Sequence, residues 1–129
     1  MDNIITCIIL MVFMHIVDDF YLQGILASMK QRLWWKQRAS EPKYKYDYIW
    51  ALLMHAFSWT FMIMLPPLYL FKLSFNNIGV LILFIVNLIE HAIIDDLKAN
   101  KLKINLIEDQ LLHIVQIIRT ALICFYVVI

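Results

Sequence analysis

Long apolar runs alternate with short polar connections along this chain. Four stretches, Ile4–Leu22, Tyr48–Phe71, Ile78–Leu97 and Gln110–Ile129, match the ~20 mostly apolar residues that a bilayer-spanning helix needs. Polar positions within them are too sparse to give four helices the water-facing side that a soluble bundle requires. The pattern predicts an all-α, polytopic membrane protein: a four-transmembrane-helix bundle forming a single domain over residues 1–129. Pro66-Pro67 is expected to end or kink the second span near its far side, and the stretch KLSFNN, residues 72–77, to turn the chain into the third.

The connection after the first span has a pattern of its own. In GILASMKQRLWWKQR, the apolar Ile25, Leu26, Met29 and Leu33 recur at near-helical spacing among basic residues, and Trp34-Trp35 follows. Two readings stand: a short helix lying in the headgroup layer, attracted to anionic lipid, or an ordinary basic connection that fixes topology. Composition agrees with a membrane setting, since 63% of the residues are hydrophobic against roughly 45–50% in soluble domains.

Charge adds an orientation. Six of the eleven lysines and arginines lie between Gln23 and Asp47, and Lys98, Lys101 and Lys103 lie in the connection between the third and fourth spans. The positive-inside rule makes the basic loops 23–47 and 98–109 cytoplasmic and puts both termini outside, with a bacterial inner membrane as the expected location. The first residues, MDNIIT, carry no basic n-region, and no small-residue cleavage site follows, so the first apolar run is expected to be retained as a helix. A net charge of +1 gives no support for nucleic-acid binding. Cys7 and Cys124 are too few for a disulfide framework and read as apolar packing residues.

All four histidines fall inside the apolar stretches, one in each: His15, His55, His91 and His113. In an antiparallel bundle all four come to one level, near the inner leaflet. Three carry an acid four residues away: His15 with Asp19, His91 with Asp95, and His113 with Asp109. Residues at i and i+4 share a helix face, so each pair presents a nitrogen and a carboxylate to the bundle interior. HIVDDF and HAIIDDL, at the same end of the first and third spans, suggest a two-hairpin repeat. The neighbouring acids Asp18 and Asp96 are offset around their helices, and Glu90 lies beside the His91 stripe.

Energy makes this pattern demand an explanation. An aspartate at the centre of a membrane helix costs about 2.5–3.5 kcal/mol, and less near an end. Asp18, Asp19, Glu90, Asp95, Asp96 and Asp109 accompany one arginine, Arg119, as the only lysine or arginine inside the spans. A bound cation supplies the missing charge. Imidazole with carboxylate suits a divalent transition metal, zinc first, held as one or two ions by His15, Asp19, His55, His91, Asp95, Asp109 and His113. Metal-bound water acquires a pKa of about 7, which makes hydrolysis the expected chemistry. Asp18, Glu90 or Asp96 would then serve as general base, and Arg119 as a bidentate holder of a substrate phosphate or carboxylate. A proton or cation relay and a purely structural polar network use the same residues.

The ordered set His15-x3-Asp19 with Leu22-Gln23, His55, His91-x3-Asp95-x-Leu97-Lys98 and Asp109-Gln110-x2-His113 resembles a family of small bacterial and phage membrane proteins, domain of unknown function 3307. The resemblance covers nearly the whole chain and implies a site at His15, Asp19, His55, His91, Asp95, Asp109, Gln110 and His113. Its style is similar to that of integral-membrane metal-dependent hydrolases. The function expected is therefore a membrane-embedded hydrolase acting on a lipid or lipid-linked substrate at the cytoplasmic leaflet. The alternatives are a proton or divalent-cation transporter or channel, and a non-enzymatic phage or bacterial membrane interaction protein. Membrane lipids are the expected partners, and a homo-oligomer would cover an open site.

Overall fold

The computed structural model describes residues 2–128, so both terminal residues, Met1 and the Ile129 end of the fourth predicted span, lie outside the described residues. Six α-helices and no strand occur among them. α1 (Asp2–Val17) runs on through a π turn at Asp18–Leu22. α2 (Leu26–Met29) and α3 (Arg32–Arg38) form the basic connection. α4 (Asp47–Leu70), α5 (Ile78–Ala99) and α6 (Leu106–Ile123) follow, and α6 also ends in a π turn, Cys124–Val128. The four long helices pack in a ring, with α1 and α5 each lying between α4 and α6.

Three segments are long and apolar enough to cross a membrane: Asn3–Leu22, Pro42–Leu70 and Ile78–Ala99. α6 differs because its 18 residues include Glu108, Asp109 and Arg119. α4 does not stop at its prolines. It continues through Pro66-Pro67 to Leu70, one turn further, where Phe71 N–H bonds the Pro67 carbonyl at 3.0 Å and Lys72 adopts a φ of 53°.

Side-chain caps set the register of the later helices. Asn77 accepts the Gly79 N–H at 2.8 Å and starts α5. Asn105 and Glu108 form a reciprocal capping box, with bonds of 3.0 and 2.8 Å, at the start of α6. The box fixes where α6 begins and hence where Asp109 and His113 point. Asn105→Ala is expected to cost about 1 kcal/mol of stability, measured by unfolding in mixed micelles.

The basic connection is two short helices rather than one. Gln31 is extended (φ −98°, ψ 126°) and breaks the helix after Lys30. Asn100 takes up the freed backbone groups, donating to the Lys30 carbonyl at 3.0 Å and accepting the Arg32 N–H at 2.8 Å. Trp35 Nε1 donates to the Met29 carbonyl at 2.6 Å and folds α3 back against α2. Gly24, at φ +51°, makes the turn out of α1 in a conformation that side-chain-bearing residues rarely adopt.

Burial divides the bundle into two layers. Cys7, Met11, Ile63, Met64, Val80, Ile117, Ala121 and Cys124 form an apolar core in the half away from the basic connection. The four histidines, all buried, occupy the other half. Trp59, one turn beyond His55 on α4, lies at the boundary and is fully buried.

Candidate metal centre

The four histidine rings lie together, as the one-level expectation requires. The His91 ring stacks on both Trp59 (centroids 4.1 Å apart) and His113 (4.3 Å), which also touch each other at 5.2 Å. His55 faces His91 at 5.0 Å, and His15 faces His113 at 5.5 Å. Trp59 is thus the floor of the cluster. Its indole N–H donates to His15 Nδ1 at 2.8 Å, and Gln110 Oε1 sits 3.0 Å from His15 Nε2. Indole is a donor only, so His15 Nδ1 is the acceptor and Nε2 carries the proton. Both ring nitrogens of His15 are therefore engaged in holding the wall of the site.

His15 Nδ1 also lies 3.3 Å from Asp19 Oδ2, as its i, i+4 spacing predicts, and the other three histidines meet carboxylates as well. Asp95 is the hub: one oxygen lies 3.3 Å from His55 Nε2 and 3.7 Å from His91 Nε2, and the other lies 3.4 Å from His113 Nε2. Asp19 Oδ1 is 3.3 Å from His55 Nε2, and Asp109 Oδ1 is 3.4 Å from His113 Nε2. His55 Nε2 and His91 Nε2 are 3.1 Å apart. Two sets of donors converge within 4.8 Å, Asp19/His55/His91 and His91/Asp95/His113, and His91 belongs to both.

Spacing tests whether this donor set fits a metal. Tetrahedral ligands about 2.0–2.1 Å from zinc lie about 3.3–3.4 Å from one another. Most of the contacts above have that length. Three of the atoms concerned are buried with no hydrogen-bond partner: Asp19 Oδ1, Asp109 Oδ1 and His113 Nε2. Buried polar atoms in folded proteins are nearly always satisfied, so the cluster fits a bound cation by distance and by its orphaned donors.

Lysines alter the charge reckoning made from the sequence. Lys30, at the end of α2, reaches into the cluster and places Nζ 2.6 Å from Asp95 Oδ2, with only 12% of its side chain exposed. Lys98 pairs with Asp109 at 2.8 Å and Lys101 with Asp96 at 3.3 Å. Arg119 grips Glu90 with two bonds, of 2.7 and 2.6 Å. Arg119 is therefore not the sole counter-ion. Among the acids named from the sequence, only Asp18 and Asp19 are left facing imidazoles without a lysine or arginine.

Asp18 also departs from expectation. On an α-helix, adjacent residues diverge by about 100°, so Asp18, three residues from His15, and Asp19, four residues from it, flank the His15 face from opposite sides. The π turn widens the helix, with Gln23 N–H bonding the Asp18 carbonyl five residues back at 3.0 Å. Both aspartates stand beside His55, Asp18 on its Nδ1 side and the partly buried Asp19 on its Nε2 side. Asp18 is fully buried, accepts the Ser58 hydroxyl at 2.5 Å, and sets Oδ2 3.7 Å from His55 Nδ1. Such π turns recur at functional sites.

The remaining candidates lie elsewhere. Asp96 accepts from Asn100 at 2.8 Å beside Lys101, at the rim. Glu90 and Arg119 line a groove of about 290 Å³ with Ile93, Ile94, Leu112, Val115 and Gln116, away from the histidine rings. The residues missed by sequence reasoning are Trp59, Lys30, Lys98 and Asn100. Trp59 was legible, since it stands four residues beyond His55 on the same face; Lys30 was not.

A second cavity, of about 460 Å³, opens in the basic connection. Arg32, Lys36 and Lys45 line it together with Trp35, Tyr44 and Tyr48, and the Arg32 guanidinium lies 4.8 Å above the Tyr48 ring. Cations set among aromatic rings suit the headgroup region of a bilayer.

Residues 7–129 match the family described as Protein of unknown function (DUF3307). The chain belongs to that family. The match takes in all four histidines, all the acids of the cluster, Trp59 and Lys30, so the candidate centre lies wholly within the DUF3307 domain. No curated protein and no solved structure matches the chain.

Proposed function

We propose that this protein is a four-span integral membrane metalloprotein that hydrolyses a lipid or lipid-linked substrate at the cytoplasmic leaflet. The observation that carries the reading is the convergence of the buried His55, His91 and His113 on Asp95, and of His55 on Asp19, with contacts of 3.1–3.7 Å. A neutral imidazole offers one lone pair, and His91 is common to both donor sets. One ion per chain follows, zinc first by ligand chemistry. Asp18 Oδ2 stands 3.7 Å from His55 Nδ1, on the side where outer carboxylates support metal-binding imidazoles. The ion would supply a water of lowered pKa as nucleophile. Of the three carboxylates considered as general base, Asp18 alone lies against the histidines.

The fourth span is α6 with its π turn. Residues 106–128 form a continuous helical stretch, about 34 Å long at 1.5 Å per residue, and Glu90 neutralises its one deep charge, Arg119. The positive-inside rule then places the basic connection, with its aromatic cavity, in the cytoplasmic headgroup layer, where a lipid phosphate would meet Arg32, Lys36 and Lys45.

Transport is the second reading, since the same residues form a relay. A polar ladder of Asn87, Gln116 and Thr120 extends one further step into the bundle, but the apolar core around Met11, Ile63 and Val80 closes the path beyond it. Elemental analysis of protein purified in nanodiscs, followed by reloading of stripped protein, tests the proposal. About one zinc per chain is expected, together with zinc-dependent release of phosphate or headgroup from a lipid-linked substrate panel. Protein that neither retains nor rebinds a transition metal overturns it.

A further inference from the structure

One charged pair has no place in the histidine cluster and sits where a membrane protein rarely leaves charge. Glu90 and Arg119 bond each other in bidentate fashion, yet their side chains remain 37% and 39% exposed. Glu90 stands twelve residues beyond Ile78, the first residue of α5. At 1.5 Å per residue that is about 18 Å, past the middle of a hydrocarbon layer about 30 Å thick. Ionised residues at that depth are almost always turned into the bundle interior or a polar cavity. Here the pair faces outward, in the groove between α5 and α6, flanked by the exposed Val86, Ile93 and Val115. The pair is also incomplete, because Arg119 Nε is buried without a hydrogen-bond partner.

We propose that the α5–α6 face is the interface of a homodimer. Glu90 and Arg119 lie at one depth on neighbouring helices, so the patch carries a negative and a positive group side by side. A two-fold axis along the membrane normal preserves depth and exchanges left with right. It therefore brings Glu90 of one copy against Arg119 of the other, and the reverse. An isologous interface needs such self-complementarity, and no other occupant is matched so directly to an adjacent pair of opposite charges. The four charges close into a ring shielded from lipid, while Val86, Ile93 and Val115 meet their counterparts. This inference is independent of the metal reading.

The test is charge complementation between copies in lipid bilayers, read by energy transfer between labelled chains. Glu90→Arg and Arg119→Glu each place like charges together, and each is expected to weaken self-association about tenfold or more. Co-reconstituting the two variants restores opposite charges only across the interface, and recovery of association is expected in that mixture alone. Ile93→Cys keeps the charge pair intact and guards against misfolding of the charge variants. Oxidation is expected to cross-link it between copies, because the native Cys7 and Cys124 are buried, whereas Ile9→Cys on the exposed face of α1 is expected not to cross-link. Wild-type protein that stays monomeric in bilayers overturns the proposal, as does a mixture no better associated than its components. So does a monomer that retains anionic phospholipid and loses it in Arg119→Leu, which would assign the groove to lipid.

Discussion

Replacing His91 with alanine is expected to abolish metal binding while leaving the helical bundle assembled. His91 is the residue common to both converging donor sets, so no alternative shell survives its loss. Its ring is also fully buried and stacked on both Trp59 and His113, so truncation leaves a space beside them. Removing even an outer partner of a metal ligand typically weakens affinity about 10–100-fold, and loss of the shared ligand is expected to exceed that range. Metal content by elemental analysis and zinc affinity by competition titration measure it. His15→Ala is the instructive control. Both nitrogens of His15 are engaged, with Trp59 and Gln110, so its loss is expected to lower stability and to weaken zinc within the about 10–100-fold range of an outer residue. A His91→Ala protein that keeps wild-type affinity would sink the metal reading.

Asp95→Asn is expected to be the most destabilising conservative change in the chain. The carboxylate faces three histidines and holds the Lys30 ammonium at 2.6 Å. Removing one partner of a buried ion pair costs about 3–5 kcal/mol, because the other charge is left without compensation. Lys30→Met in the same chain removes that stranded charge, and the double variant is expected to regain most of the loss. Unfolding in mixed micelles of the wild type, both single variants and the double variant gives the coupling energy. Metal affinity separates the two partners further. The Lys30 ammonium competes with any cation bound at Asp95, and two like charges about 4 Å apart repel strongly at a protein's effective dielectric. Lys30→Met alone is therefore expected to tighten zinc binding, whereas Asp95→Asn weakens it. Equal zinc affinity in Lys30→Met and wild type would mean that the ion, if bound, sits away from Asp95.

Lys30 also shows why the site was only partly legible in the sequence. The four histidines and their i, i+4 acids lie on helices, where spacing alone determines which side chains share a face. Their common depth followed from counting residues to the helix ends. Lys30 belongs to the connection. It enters the site because the helix breaks at Gln31 and Asn100 binds both edges of the break, a contact between residues about seventy positions apart. Lys98 and Asp109 meet across the connection between α5 and α6. Periodicity carries no information about such pairs, so the sequence overstated the charge imbalance among the spans.

The two adjacent aspartates of the first span make the same point at closer range. An ideal helix sets Asp18 and Asp19, at i+3 and i+4, on opposite sides of the His15 face. The structure adds a π turn at Asp18–Leu22, in which Asp18 is fully buried against Ser58 and His55 while Asp19 is partly buried. A departure of one residue in helical winding is invisible in an apolar pattern, because either winding keeps the segment apolar.

The apolar runs by themselves determined that the protein is helical, that its long helices suit a bilayer, and that histidine and carboxylate would be concentrated in one layer. Hydrophobic length and i, i+4 spacing are local properties, and each helix expresses them independently of the others. Tertiary structure decided which acids keep a lysine, which histidines have nitrogens free to meet a cation, and that Glu90 and Arg119 turn outward. Those outcomes depend on distances between helices, which are set by packing around Trp59 and the apolar core rather than by any one segment's sequence.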